Sequence, residues 1–181
     1  MLAVVPLALV AGRRLSERAL VTIALVACAL GAVLSAVWAG ATPSYVAMAT
    51  GTVLIWSGIG FGVIAPTMTI LDGLPPSQQG LASALNDLTR ELGAALGIAI
   101  TGSVFNTAYR HFLSGHDASS IVAQSPATAL SDPGAQSLDG IVRDAVLHGW
   151  HSAFLAAGGV LIVCALGSAL LYPRGSQDLL P

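Results

Sequence analysis

The chain has 181 residues, of which 55% are hydrophobic and 9% charged, whereas a soluble domain carries about a quarter charged residues. That balance argues against an ordinary soluble globule. All seven basic residues are Arg, and nine acids against them leave a net charge of -2, so there is no basic patch for a phosphate backbone and nucleic acid is not an expected partner.

Residues 1–12 are apolar but reach only about 18 Å as a helix, too short to cross a bilayer. A signal peptide places positive charge before its apolar region, and here Arg13, Arg14 and Arg18 come after it. The segment therefore reads as the second half of a spanning helix, and the chain as the tail end of a larger membrane protein. Residues 13–18 form the loop that follows. Between Arg18 and Asp72 there is no Asp, Glu, Lys, Arg or His. At about 20 helical residues per 30 Å of hydrocarbon, this stretch holds two spans, expected at 19–39 and 45–71. Gly40-Ala41-Thr42-Pro43-Ser44 supplies the turn between them, flanked by Trp38 and Tyr45 as interface anchors. The second span carries Gly58, Gly60, Gly62 and Pro66. Gly58 and Gly62 are in register for close helix contact, and Pro66 removes a backbone donor and favours a kink.

A third span is expected over 79–109, with its polar residues Asn86, Asp87, Arg90 and Glu91 in the first half and no charge from 92 to 108. Asn86, Arg90, Gly93 and Gly97 follow i, i+4, i+7, i+11 and share one helix face, a polar stripe leading into an expected tight helix contact. An Arg near mid-membrane costs about 2.5–3.5 kcal/mol, so Arg90 needs a partner, and Asp87 at i-3 is within reach. Two readings stay open here: the charges reach water at the cytoplasmic interface, or they line an aqueous cavity and lock helices together. A polar loop, 111–146, follows. The fourth span is expected at 147–172, with Gly158-Gly159 as packing residues, and 173–181 is a polar tail. Cys28 and Cys164 each lie inside an apolar run and read as small packing residues. His148 and His151, one turn apart, with His111 and His116 across the loop, are the sole cluster that could serve an intramembrane metal-dependent enzyme. Flanking Trp150, they read instead as polar interface residues, so no metal, cofactor or enzymatic activity is expected.

Short cytoplasmic loops collect Arg. Placing Arg13, Arg14 and Arg18 inside puts the 40–44 turn outside, the 72–78 loop inside, the loop holding Asp117, Asp132, Asp139 and Asp144 outside, and the tail with Arg174 inside. The expected fold is thus an all-α integral membrane protein of the cell membrane, with four full transmembrane helices, a partial N-terminal one and a cytoplasmic C-terminus.

Gly80-Leu81-Ala82-Ser83-Ala84-Leu85-Asn86, followed by Arg90-Glu91-Leu92-Gly93-Ala94-Ala95-Leu96-Gly97-Ile98-Ala99, resembles the penultimate helix of the fourteen-helix drug:proton antiporters of the major facilitator superfamily. The helix with Gly58, Gly60, Gly62 and Pro66 is similar to the one before it in those proteins. Gly12-Arg13-Arg14-Leu15-Ser16-Glu17-Arg18 resembles, in degenerate form, the cytoplasmic Gly-x-Leu-(acid)-Arg loop of the superfamily. The chain departs from the family at Asp87, where a neutral residue is usual, at Glu91, where Gln is usual, at Gln78-Gln79, where basic residues are common, and at Glu17, which replaces Asp.

The resemblance implies the C-terminal part of a major-facilitator helix bundle. The whole protein would export amphipathic small molecules in exchange for protons, with Gly12, Arg13, Arg14, Glu17 and Arg18 latching the cytoplasmic side. Its partners would be the lipid bilayer and the remaining transporter helices, because half a bundle cannot enclose a cavity shared between two halves; the chain is expected to be inactive alone. A small membrane subunit that assembles with a separately encoded partner is the alternative.

Overall fold

Ser16 opens the first helix. Its hydroxyl lies 3.4 Å from the Ala19 N–H, and its carbonyl accepts from the Leu20 N–H at 3.1 Å, so it satisfies donors that a helix start leaves orphaned. The computed structural model describes residues 16–41, 45–72, 75–115, 126–127 and 139–171, and all secondary structure among them is helical. The four long helices are α1 (Glu17–Ala41), α2 (Tyr45–Asp72), α3 (Gln79–Ser114) and α4 (Asp139–Leu171). A single 3₁₀ turn, Pro76–Gln78, leads directly into α3, with Pro75 extended before it and the Gln78 N–H donating to the Pro75 carbonyl at 2.8 Å.

Three helical stretches are long and apolar enough to cross a membrane: Arg18–Val37, Pro76–Ser114 and Gly140–Leu171. A shorter apolar stretch, Met48–Val63, lies in α2. The all-α architecture therefore matches the sequence reading, but where four full spans were expected only three stretches among the described residues have the length and hydropathy of one, and several helix boundaries differ. Glu17 and Arg18, read as loop, are the first residues of α1. Gly40 and Ala41, read as turn, are its last. The largest correction is at the polar loop 111–146. There α3 continues through His111 to Ser114, ending where the Gly115 N–H reaches the Phe112 carbonyl at 3.3 Å, and α4 begins at Asp139. Residues 1–15, most of the loop and the tail from 172 lie outside the described residues, and with them the partial helix 1–12, Gly12, Arg13, Arg14, His116 and Arg174.

The longer α3 and α4 are held by a small core that the two helices share. Tyr109 and Leu113 of α3 are fully buried with Val142 and Ala145 of α4, and Phe105, Phe112, Ile141 and Val146 pack around them. On α4 the positions 141, 142, 145 and 146 form the i, i+1, i+4, i+5 stripe of an amphipathic helix, whose burial stabilises helix over loop. Rings extend the contact: Phe105 stacks on Tyr109 with centroids 6.2 Å apart, and meets Trp150 edge-on at 5.8 Å. At 36 residues α3 rises about 54 Å, well past a hydrocarbon core of about 30 Å, so there is room for a span and for this clasp.

Helix α1 lies between α2 and α4, and α3 leans on the far side of α4. All neighbours run antiparallel. Along α1 and α4 the pairs are Thr22 with Ser168 and Ala36 with His151; along α1 and α2 they are Ala24 with Gly62 and Gly31 with Gly51. The start of α1, the end of α2, the start of α3 and the end of α4 thus share one end of the bundle. The α1–α2 seam is close because both sides are small. A Cβ added at Gly58 would sit 2.5 Å from Cys28 Sγ and 2.7 Å from the Ala24 carbonyl oxygen. One at Gly31 would sit 2.7 Å from Ile55 Cγ1, and one at Gly51 would collide with Ser35 Oγ.

Gly58→Leu is therefore expected to destabilise the chain by about 1–3 kcal/mol, the usual cost of overpacking, with α1 and α2 pushed apart. Denaturant titration of helicity in detergent micelles checks it, and an unchanged midpoint would show that the seam opens freely.

Candidate functional site

Every residue of α3 from Gln79 to Ile100 is exposed except Ala82, which is buried, and Asn86, which is half-buried. Asn86 is tied to α2: the Thr67 hydroxyl lies 3.4 Å from its Oδ1, while also donating to the Val63 carbonyl at 2.7 Å. A hydrogen bond at 3.4 Å is long, so this tie is weak. The rest of the polar stripe faces outward. Asp87, Arg90 and Glu91 are all exposed, and among the described residues Arg90 has no ion pair, so the expected Asp87–Arg90 pairing is not made.

Among the described residues, the glycines of the stripe lack the expected helix contact. A Cβ at Gly93, Gly97 or Gly102 would meet nothing within 4 Å. The reason is the way α3 is held. Its C-terminal third is clasped to α4 through the aromatic core, where a Cβ at Gly149 would lie 2.8 Å from the Phe105 ring. Its N-terminal end touches α2 near Thr67, and nothing in between draws the helix onto its neighbours.

The kink-and-packing set divides differently. Gly58 and Gly62 sit against α1, with Ala24 Cβ 3.1 Å from a Cβ placed at Gly62; Gly60 is half-buried. Helix α2 runs unbroken through Pro66, whose missing N–H leaves the Gly62 carbonyl without its usual i+4 donor. A Cβ added at Gly158 would lie 3.0 Å from Val33 Cγ2 of α1, whereas one at Gly159 would meet nothing within 4 Å among the described residues. Of the latch residues, Glu17 opens α1 and Arg18 is half-buried in its first turn.

Cys28 is buried and its thiol reaches the Ile55 carbonyl at 3.4 Å, as a packing residue would; Cys164 is exposed, and both are free. The histidines take separate roles. His151 Nδ1 lies 2.8 Å from the Ala36 carbonyl oxygen, which can only accept, so Nδ1 carries the proton and ties α4 to α1. His148 lies against Phe112 with ring centroids 5.5 Å apart, and His111 is exposed. Among the described residues no three His, Cys, Asp or Glu side chains gather as a metal site would require.

Sequence reasoning missed Gly31, Ser35 and Gly51 as seam residues. Their signal was present: 24, 28, 31 and 35 on α1 and 51, 58 and 62 on α2 follow the same i, i+4, i+7, i+11 progression that marked the α3 stripe. No protein-family model matches the chain, and no solved structure matches it.

Because the α3 glycines are open, Gly97→Ala is expected to leave the isolated chain unharmed or to stabilise it by up to about 1 kcal/mol through helix propensity. The same micelle titration reads this. A loss of stability would mean that another surface already covers Gly97.

Proposed function

We propose that this chain is the C-terminal portion of a membrane-embedded efflux permease of the major facilitator type, which as a whole exports amphipathic compounds in exchange for protons. The observation that carries the proposal is the uncovered face of α3. An otherwise apolar stretch of helix presents Asp87, Arg90 and Glu91 next to Gly93 and Gly97, and among the described residues nothing lies within 4 Å of a Cβ placed at either glycine. In a bilayer such charges are costly unless they face protein or a water-filled cavity, and open glycines are where a neighbouring helix approaches closely. Both features support a surface built to meet further helices, and the Gly80–Ala99 block resembles the antiporter helix that does so.

In this reading α1, α2 and α4 move as one body because small-residue seams hold them. The N-terminal two thirds of α3 line the transport cavity, and the Arg13–Arg18 segment latches the cytoplasmic side. Since the open face equally suits a small subunit that docks onto a separately encoded transporter, reading the gene's frame upstream of Met1 separates the two. About nine or more spanning segments in frame support the permease, and an independent start signal with no such frame supports the subunit.

Orientation is tested by impermeant thiol labelling in a variant with Cys28 and Cys164 replaced. A cysteine at Ser119 is expected to react from outside and one at Ser77 only from inside; the reverse pattern would overturn both orientation and family.

In the complete transporter Arg90→Ala is expected to abolish most transport while insertion survives, and Arg90→Lys to rescue poorly, since an ammonium does not reproduce the planar fork of donors. Glu91→Gln should be mild. If all three variants transport like the parent at equal expression, the stripe is a solvated helix end and the proposal fails.

A further inference from the structure

A groove runs along one side of the α1–α4 pair, from Thr22 to Val33 on α1 and from Ile162 to Ala169 on α4. Its floor is Ala29 and Ala165, 3% and 4% exposed, and its rims are Leu30 and Leu166, 53% and 58% exposed. The groove encloses about 190 Å³, is open along one side, and its accessible lining is wholly apolar. It exists because alanines sit where the two helices face each other and leucines stand on either side.

Three features define what fits. Eleven helical steps from Thr22 to Val33 span about 17 Å, close to half of a hydrocarbon core of about 30 Å; the groove is the length of one leaflet. Its volume is well below the roughly 300–1,000 Å³ of sites that enclose drug-sized molecules, so it suits a thin chain. At one end the Thr22 and Ser168 hydroxyls lie 3.1 Å apart, and each also reaches a backbone carbonyl, of Arg18 at 2.8 Å and of Ala165 at 2.9 Å. Those hydroxyls are satisfied and ask nothing of a ligand. One turn further out, at i-4 from Thr22 and so on the same face, stands Arg18, half-buried and without an ion pair among the described residues.

We propose that this groove holds one acyl chain of an anionic glycerophospholipid, with the headgroup phosphate at Arg18. The inference goes beyond the transporter reading and requires only that α1 and α4 lie in a bilayer. A cation at the polar end of a leaflet-length apolar groove matches the layout of such a lipid: charge at the interface, hydrocarbon running inward.

The test is native mass spectrometry of the full chain released from micelles, with phosphatidylglycerol or phosphatidylcholine of identical acyl chains added. The parent is expected to retain one phosphatidylglycerol, held about fivefold more tightly than phosphatidylcholine, as one interfacial Arg provides. Arg18→Gln should keep lipid binding and lose the preference. Ala169→Phe should fill the groove and lose the retained lipid of either kind, with helicity checked by circular dichroism. Leu30→Ala, at an exposed rim, should weaken retention several-fold and keeps the test valid if Ala169→Phe does not fold. Equal retention by parent and groove variants overturns the proposal, as does the absence of a phosphatidylglycerol preference, or a dimer that the groove variants abolish. None of these readouts involves transport, so failure here is separate from failure of the permease reading.

Discussion

Close backbone approach along α1 is the constraint on which the rest of the arrangement depends. This helix offers small residues on two sides. Ala24, Cys28, Gly31 and Ser35 meet α2, while Ala29, Ala32 and Ala36 turn toward α4. Large apolar side chains would hold neighbouring helices apart; if these helices lie in a bilayer, no hydrophobic drive compensates, and packing and interhelical hydrogen bonds must carry the association. Both are present here: glycine seams against α2, and the His151–Ala36 and Thr22–Ser168 pairs against α4. Three helices are thereby joined along their lengths.

The fourth is joined differently. Helix α3 is clasped to α4 at one end by Phe105, Tyr109 and Leu113, and reaches α2 at the other through the long Thr67–Asn86 contact. Aromatic burial is large per residue, so a short clasp suffices to hold a 36-residue helix in place while leaving 22 residues nearly uncovered. That asymmetry puts the charged stripe and the open glycines on the same free segment.

Much of this was legible in the residues. The charge-free stretch from Arg18 to Asp72 set out two helices, because in a chain with so little charge its absence over that length has few other uses. Gly58 and Gly62 pointed to a seam, and the structure seats both on α1. Gly93 and Gly97 carried the same signal, yet they stand open. Spacing reports that a helix face can be approached closely; it does not report by what. The clasp at Tyr109 and Leu113 was hidden for another reason. The residues around Val142 and Ala145 are interleaved with Asp139, Arg143 and Asp144, so the segment reads as polar until its helical stripe is matched to a partner some thirty residues upstream.

The sequence by itself determined that the described part of the chain is all-helical, where its long apolar helices lie, and which residues are small enough for contact. These follow from local properties: hydropathy over about 20 residues, helical periodicity and the volume of single side chains. The tertiary structure decided which faces meet. It set α1 in the centre, joined α3 and α4 through an aromatic core, and left the polar stripe uncovered by the described residues. Those outcomes depend on pairings between residues tens of positions apart, such as Ala36 with His151 and Tyr109 with Ala145, and no local pattern specifies which of several compatible faces a helix will choose.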